Sequence, residues 1–232
     1  MLIIEYLCTL YKYGRQNIAA GTLIGMKTIL FAATYGESVR SEPYIDMQWN
    51  LEEAGFAVEL VQPTWRGRAG RTARGVADQL QAVYSKYPDP SEVILGGYYA
   101  GAVAAMHVVA RQSEDRKPAG LVVASVAPLF KEDLASHQLT AELLWQGYST
   151  SQLQSYSKRS FADLAGKITC NTQLFIGRGD GKETIYRSEQ AEVQLAMAQV
   201  TCADFPETDN THPLYYGSVM QAHLSTVDFS PL

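Results

Sequence analysis

Gly97-Tyr98-Tyr99-Ala100-Gly101 sets small residues two positions before and two after a central side chain. The segment follows the apolar run Val93-Ile94-Leu95 and precedes the apolar stretch from Ala102 to Arg111, so it falls where a strand gives way to a helix. A turn that sharp leaves no space for side chains at the flanking positions, which is why Gly97 and Gly101 fit it. Its chemical use is to hold the middle residue out at the end of the strand, where a serine would attack a carbonyl carbon. Here the middle residue is Tyr99, so the mount of a nucleophile is present and the serine is not. A tight turn without chemistry is compatible with the same glycines, so other residues must decide.

Other chemistries find little support. Cys8, Cys170 and Cys202 are odd in number and far apart, which fits neither a disulfide framework nor a zinc site, and points to a reducing cytoplasm. No His/Cys/carboxylate cluster has metal-ligand spacing, and no glycine-rich segment has the spacing of a dinucleotide or phosphate loop, so no cofactor is expected. The 232 residues, 47% apolar and 19% charged, suit one medium globular domain. A net charge of −5 argues against a nucleic-acid partner. No apolar run approaches the roughly 20 residues that span a bilayer, and the opening Met-Leu-Ile-Ile-Glu lacks the basic start of a secretory signal, so no membrane partner is expected. The partner left is a small-molecule substrate or ligand.

The elements that must position Tyr99 read as alternating strands and helices. Residues 2–11 and 18–24 suggest two strands joined by a polar turn. From there the pattern predicts a strand over 28–33, a helix over 43–54, a strand over 56–61, a helix over 76–86, a strand over 92–97 and an apolar, buried helix over 102–111. Further strands follow at 120–126, 174–176 and 200–205, with a helix at 183–198 before the last. Such alternation predicts a mostly parallel sheet covered on both faces. About forty residues between Pro128 and Thr172 break the rhythm, with helical patterning at 132–138, 141–145, 152–156 and 161–164. Residues 128–166 are therefore expected to form a helical lid inserted above the strand ends, with 1–127 and 167–232 as the core.

Several local patterns, in order, resemble the α/β-hydrolase family from about residue 27 to 217. Leu30 to Glu37 looks like the strand and loop that supply one oxyanion donor, with Tyr35-Gly36 where many members have His-Gly. Thr64-Trp65-Arg66-Gly67-Arg68-Ala69-Gly70-Arg71-Thr72 resembles the loop often written D-x-R-G-x-G-x-S. Leu164 to Asp180 resembles the strand that carries the triad acid, with Asn171 where proline is common. The resemblance implies an α/β-hydrolase fold and a constellation of Tyr99, Asp180 and His212, in the chain order nucleophile, acid, histidine that the fold delivers. It implies oxyanion donors at the backbone N–H groups of Glu37 and Ala100. Tyr35, Tyr98, Trp145 and Tyr148 are candidate pocket residues, and Leu143, Leu144 and Phe161 of the lid are further apolar candidates. His107 reads as a hydrogen-bonded core residue, while Arg66, Arg68, Arg71 and Arg74 read as a solvated loop.

The departure at Tyr99 changes the chemistry. A phenol oxygen overshoots, by about a ring length, the donors that must lie about 2.7–3.1 Å from a developing oxyanion. With an ordinary pKa near 10, only roughly one phenol in a thousand is ionised at neutral pH, and a phenolate is a good leaving group. The ring also takes up space that substrate needs, and a Glu37 carboxylate pointing inward would oppose a developing negative charge. Two functions follow: an ester-type hydrolase with impaired or altered catalysis, in which His212 and Asp180 activate water directly, or a non-catalytic member that binds a ligand or protein.

Overall fold

A computed structural model of the chain describes residues 26–70, 72–195, 200–209 and 220–229. The two strands expected within the first 25 residues lie outside them. Six strands form one sheet: β1 (Thr28–Ala32), β2 (Ala57–Val61), β3 (Val93–Tyr99), β4 (Gly120–Val126), β5 (Asn171–Gly179) and β6 (Val200–Asp209). Their order across the sheet is β2-β1-β3-β4-β5-β6, and every pairing is parallel. The chain runs outward from β1 to β2 and then crosses back to β3, so the order reverses between β1 and β3. Ligands of open parallel sheets collect at the carboxyl ends of the strands beside such a reversal.

Alternate residues of β1, β3, β4 and β5 feed two apolar layers. Leu30 and Ala32 of β1, with Leu95, Val123 and Leu174, face one layer, while Ile29 and Phe31, with Ile94, Val122 and Phe175, face the other. The strands are apolar on both faces because helices cover both. The second layer is closed by α1 (Glu42–Glu53), through Tyr44, Met47 and Leu51, and by helical residues 220–224. The first is closed, after a single turn α2 (Gly67–Gly70), by α3 (Ala73–Tyr84) and α4 (Ala100–Val109). In α3, Ala73, Val76, Ala77, Leu80 and Tyr84 make a buried stripe at helical spacing, and the Thr72 hydroxyl caps its start by accepting from Gly75 N–H at 2.9 Å. All ten residues of α4 are buried, as its apolar composition predicts.

Residues 137–165 form α5 (His137–Trp145), α6 (Thr150–Tyr156) and α7 (Phe161–Ala165), followed after β5 by α8 (Lys182–Leu195). Leu139, Leu143, Leu153, Tyr156, Phe161 and Leu164 join the first apolar layer, so these helices are packed onto the body. Gln152, buried in α6, donates to the carbonyls of Trp65 at 2.6 Å and Gly70 at 2.9 Å and ties the segment to the loop after β2. The helix expected over 132–138 is not formed: residues 131–135 are turns, and helix starts at His137 behind its Ser136 cap. Asp133 explains the difference, because its carboxylate accepts from Phe130 N–H at 3.1 Å and pairs with Arg187 of α8.

Candidate functional site

Tyr99 ends β3 and caps α4 with φ 51° and ψ −110°, a backbone conformation that side chains rarely adopt and that costs on the order of 1–3 kcal/mol. The surrounding glycines are obligatory. A Cβ on Gly97 would stand 2.3 Å from the Gly101 carbonyl carbon, and one on Gly101 would stand 2.1 Å from the Ala32 carbonyl oxygen. The strand, the helix and neighbouring β1 thus meet with no space for a methyl group, and the strain is concentrated in the one residue whose side chain projects from the turn.

Across the β3–β4 ladder, Tyr98 pairs with Ala124 and Tyr99 with Val126, so the ladder skips Ser125. Ser125 is the second residue other than glycine with a positive φ, 48°, among the described residues. The bulge aims its hydroxyl at the next strand, where Ser125 Oγ donates to Asp180 Oδ2. Asp180 follows β5 directly and is only 7% exposed. Burial pushes its carboxyl up to about 6, against the Ser125 hydroxyl and the Gly177 N–H, which favour the anion. Its Oδ1 is buried without a hydrogen-bond partner among the described residues.

Tyr99 and Asp180 line the same cavity of about 360 Å³ at the carboxyl ends of the strands. Tyr35, Glu37, Tyr98 and Tyr148 line it too, so six of the residues singled out from sequence converge there. Tyr35 stacks on Tyr148 with centroids 4.4 Å apart and donates its hydroxyl to the Gly147 carbonyl at 2.5 Å, locking the loop after β1 to the end of α5. Trp145 is a correction. It is 91% exposed on the outer face of α5, while Leu139, Glu142 and Gln146 are the α5-side residues that line the cavity. Leu143 and Phe161 are buried in the core, and Leu144 is exposed. Burial pushes the Tyr99 phenol up to about 12, with Asp180 adding to it and a hydrogen bond from Thr184 of α8 opposing. At neutral pH about one phenol in 10⁵ is then ionised, fewer still than for a free tyrosine.

The backbone donors expected at this turn are engaged. Ala100 N–H donates to Thr34 Oγ1 at 3.1 Å, and Glu37 N–H approaches the Thr34 carbonyl at 3.4 Å. Thr34 is itself fixed, its own N–H donating to Tyr44 Oη at 3.0 Å. Glu37 turns inward: its Oε2 is buried, and its carboxylate, after burial itself, is the next cause that holds the Tyr44 phenol far above the ordinary range. The Ala100 N–H is thus taken up by Thr34 Oγ1, and Thr34 and Glu37 both line the cavity.

His212 lies outside the described residues. β6 runs toward it, and its last residue, Asp209, is in register with Gly179, the residue before Asp180. Arg71 is likewise outside the described residues, and Arg74 pairs with Asp78 at 3.8 Å on the surface. Cys170 is buried, with its thiol pushed up to about 11 by burial. Among the described residues no group of three His, Cys, Asp or Glu could hold a metal ion, and no helix is long and apolar enough to cross a membrane. Sequence reasoning missed Thr34, Ser125 and Thr184. Each acts through a partner at least 55 residues away, and a lone hydroxyl residue leaves no local signal of such a role.

Solved structures of similar shape decide the architecture. Est1E from Butyrivibrio proteoclasticus superposes with a TM-score of 0.69 over 86% of this chain and 86% of its own, at 16% identity. The fold is that of the α/β-hydrolases. An esterase from Exiguobacterium antarcticum (TM-score 0.64, 16% identity, 86% of this chain and 91% of its own) shares the α/β-hydrolase architecture. So does the RedJ thioesterase of the prodiginine pathway of Streptomyces coelicolor (TM-score 0.59, 17% identity, 93% and 92%). No protein-family model matches the sequence, and no curated protein matches it either.

Proposed function

We propose that this α/β-hydrolase-fold chain is an esterase-like protein for small, partly apolar carbonyl compounds whose acyl transfer through a serine is lost at position 99. The observation that carries the reading is Tyr99 itself. It occupies the strained residue of the Gly97-x-Tyr99-x-Gly101 turn, a nucleophile elbow by shape, and it lines a cavity shared with Asp180. The neighbours of this fold are an esterase and a thioesterase by their names, and Est1E has been solved with ferulic acid bound. They support carbonyl chemistry as a use of this scaffold.

In the residual reaction, His212 is the general base, Asp180 orients and stabilises its imidazole, and the Tyr99 hydroxyl holds the substrate while water attacks the carbonyl directly. The unpartnered Oδ1 of Asp180 is the acceptor this arrangement needs. Residues 128–166 serve as a lid, since Pro128, Leu139, Glu142, Gln146 and Tyr148 supply one wall of the cavity. No covalent intermediate forms, so a fluorophosphonate should leave both the mass and the ester turnover of the protein unchanged, while His212→Ala should abolish that turnover. A stoichiometric covalent adduct on the protein would overturn the reading.

A second reading, a non-catalytic ligand binder, is favoured by one observation: Thr34 holds Ala100 N–H inside the protein. It predicts saturable binding of short esters, read by tyrosine fluorescence, with turnover no faster than in buffer. Turnover lost in His212→Ala would exclude it.

A further inference from the structure

At the far end of α4 from Tyr99, a depression of about 220 Å³ is lined by His107, Arg111, Lys158, Arg159, Asp163 and Lys167. It shares no lining residue with the Tyr99 cavity. We propose that it is a binding site for a phosphate-type oxyanion, formed by His107, Lys158, Arg159 and Lys167.

Three features support the assignment. His107 is only 3% exposed, and its Nε2 has no hydrogen-bond partner among the described residues. A buried polar atom left unsatisfied costs about 1–3 kcal/mol, and a bound oxygen would accept from the Nε2–H tautomer. The cations around it are also unspent. Arg111 is paired with Asp78 at 2.6 Å, but Lys158, Arg159 and Lys167 pair with no carboxylate among the described residues. Lastly, burial chiefly, then repulsion from Arg111 and less from Arg74, draw the Arg159 guanidinium below its usual range, against Tyr156 and Asp78. An anion relieves that repulsion.

Competing explanations cover less. Cations gather at helix carboxyl ends because of the helix dipole, which accounts for Arg111 and not for an imidazole nitrogen buried without a partner. The Asp163 carboxylate opposes an anion, yet three unpaired cations outnumber it. Glu132 is spent elsewhere, accepting from Ser160 Oγ at 2.7 Å and Phe161 N–H at 3.3 Å. The depression is several times the roughly 30 Å³ of one water, enough for a tetrahedral ion.

Inorganic phosphate titrated at constant ionic strength should shift the His107 imidazole Nε2 resonance saturably, with chloride giving no such shift. The Arg159→Gln/Lys167→Gln double variant should weaken the apparent affinity at least tenfold, and the remote Lys86→Gln should not alter it. Phosphate also stabilises proteins by exclusion from their surfaces, so the site-specific resonance rather than the melting temperature is the readout. Tighter binding of glycerol phosphate than of inorganic phosphate would identify a monoester as the ligand, and the reverse order the free ion. No saturable shift at tens of millimolar phosphate, or the same response in the double variant, would overturn the proposal.

Discussion

At the scale of single residues, two pairs of atoms bear on the proposed chemistry: Ala100 N–H with Thr34 Oγ1, and Asp180 with Ser125. The first engages the Ala100 N–H that the proposed chemistry would use as an oxyanion donor. The second fixes one oxygen of a buried carboxylate and leaves its Oδ1 without a hydrogen-bond partner among the described residues. Asp180 titrates near 3.9 in the unfolded chain and about 6 in the folded one, so between those values the folded state holds the proton more tightly. Stability contributed by this group is therefore full at low pH and lost as pH rises from about 4 to 6, by roughly 1–3 kcal/mol. His107, buried and held down to about 3, contributes the opposite slope between about 3 and 6.5. The informative quantity is thus the difference between parent and Asp180→Asn in urea unfolding across this range. Asp180→Asn should gain on the parent as pH rises through the window and then level off, and a flat difference would contradict the account. Gly97, Gly101 and Asp180 were legible because spacing and chain order mark them. Thr34 and Ser125 were not, because a hydroxyl's role depends on what the fold brings beside it.

At the scale of elements, the segment after β4 is held to the body by more than apolar contact. Arg187 of α8 pairs with Asp133 through Nε at 3.0 and 3.1 Å and lies over the rings of Phe130 and Phe161, 5.4 and 4.8 Å from their centroids. Both members of the pair are buried, so removing one strands the other. Arg187→Ala should cost about 3–5 kcal/mol, lowering the melting temperature by on the order of 10 °C, as calorimetry would read it. A change under about 1 kcal/mol would mean that α7 and α8 are held by apolar packing alone. This pair also explains why the helical patterning of 132–138 misled. The periodicity is present, but Asp133 gains more from Arg187 and Phe130 N–H than from a helical turn. The later helices were legible to within a few residues, since their apolar spacing has no such competitor.

At the scale of the whole molecule, the alternation of apolar strands and amphipathic helices made the doubly covered parallel sheet legible, and likeness of shape at 16% identity bears it out. Pattern fixes layers well because burial on both faces dictates composition. It says little about which N–H groups are engaged at the strand ends. If only position 99 and the Thr34 contact disable a scaffold that is otherwise intact, restoring them should restore it. The most direct test is kcat/KM for a short ester panel with the parent, Tyr99→Ser and Tyr99→Ser/Thr34→Ala side by side. The account predicts a rise of at least tenfold on introducing the serine and a further gain on freeing Ala100 N–H, toward the 10²–10³ that an oxyanion donor is worth. A parent already faster than both variants would contradict it.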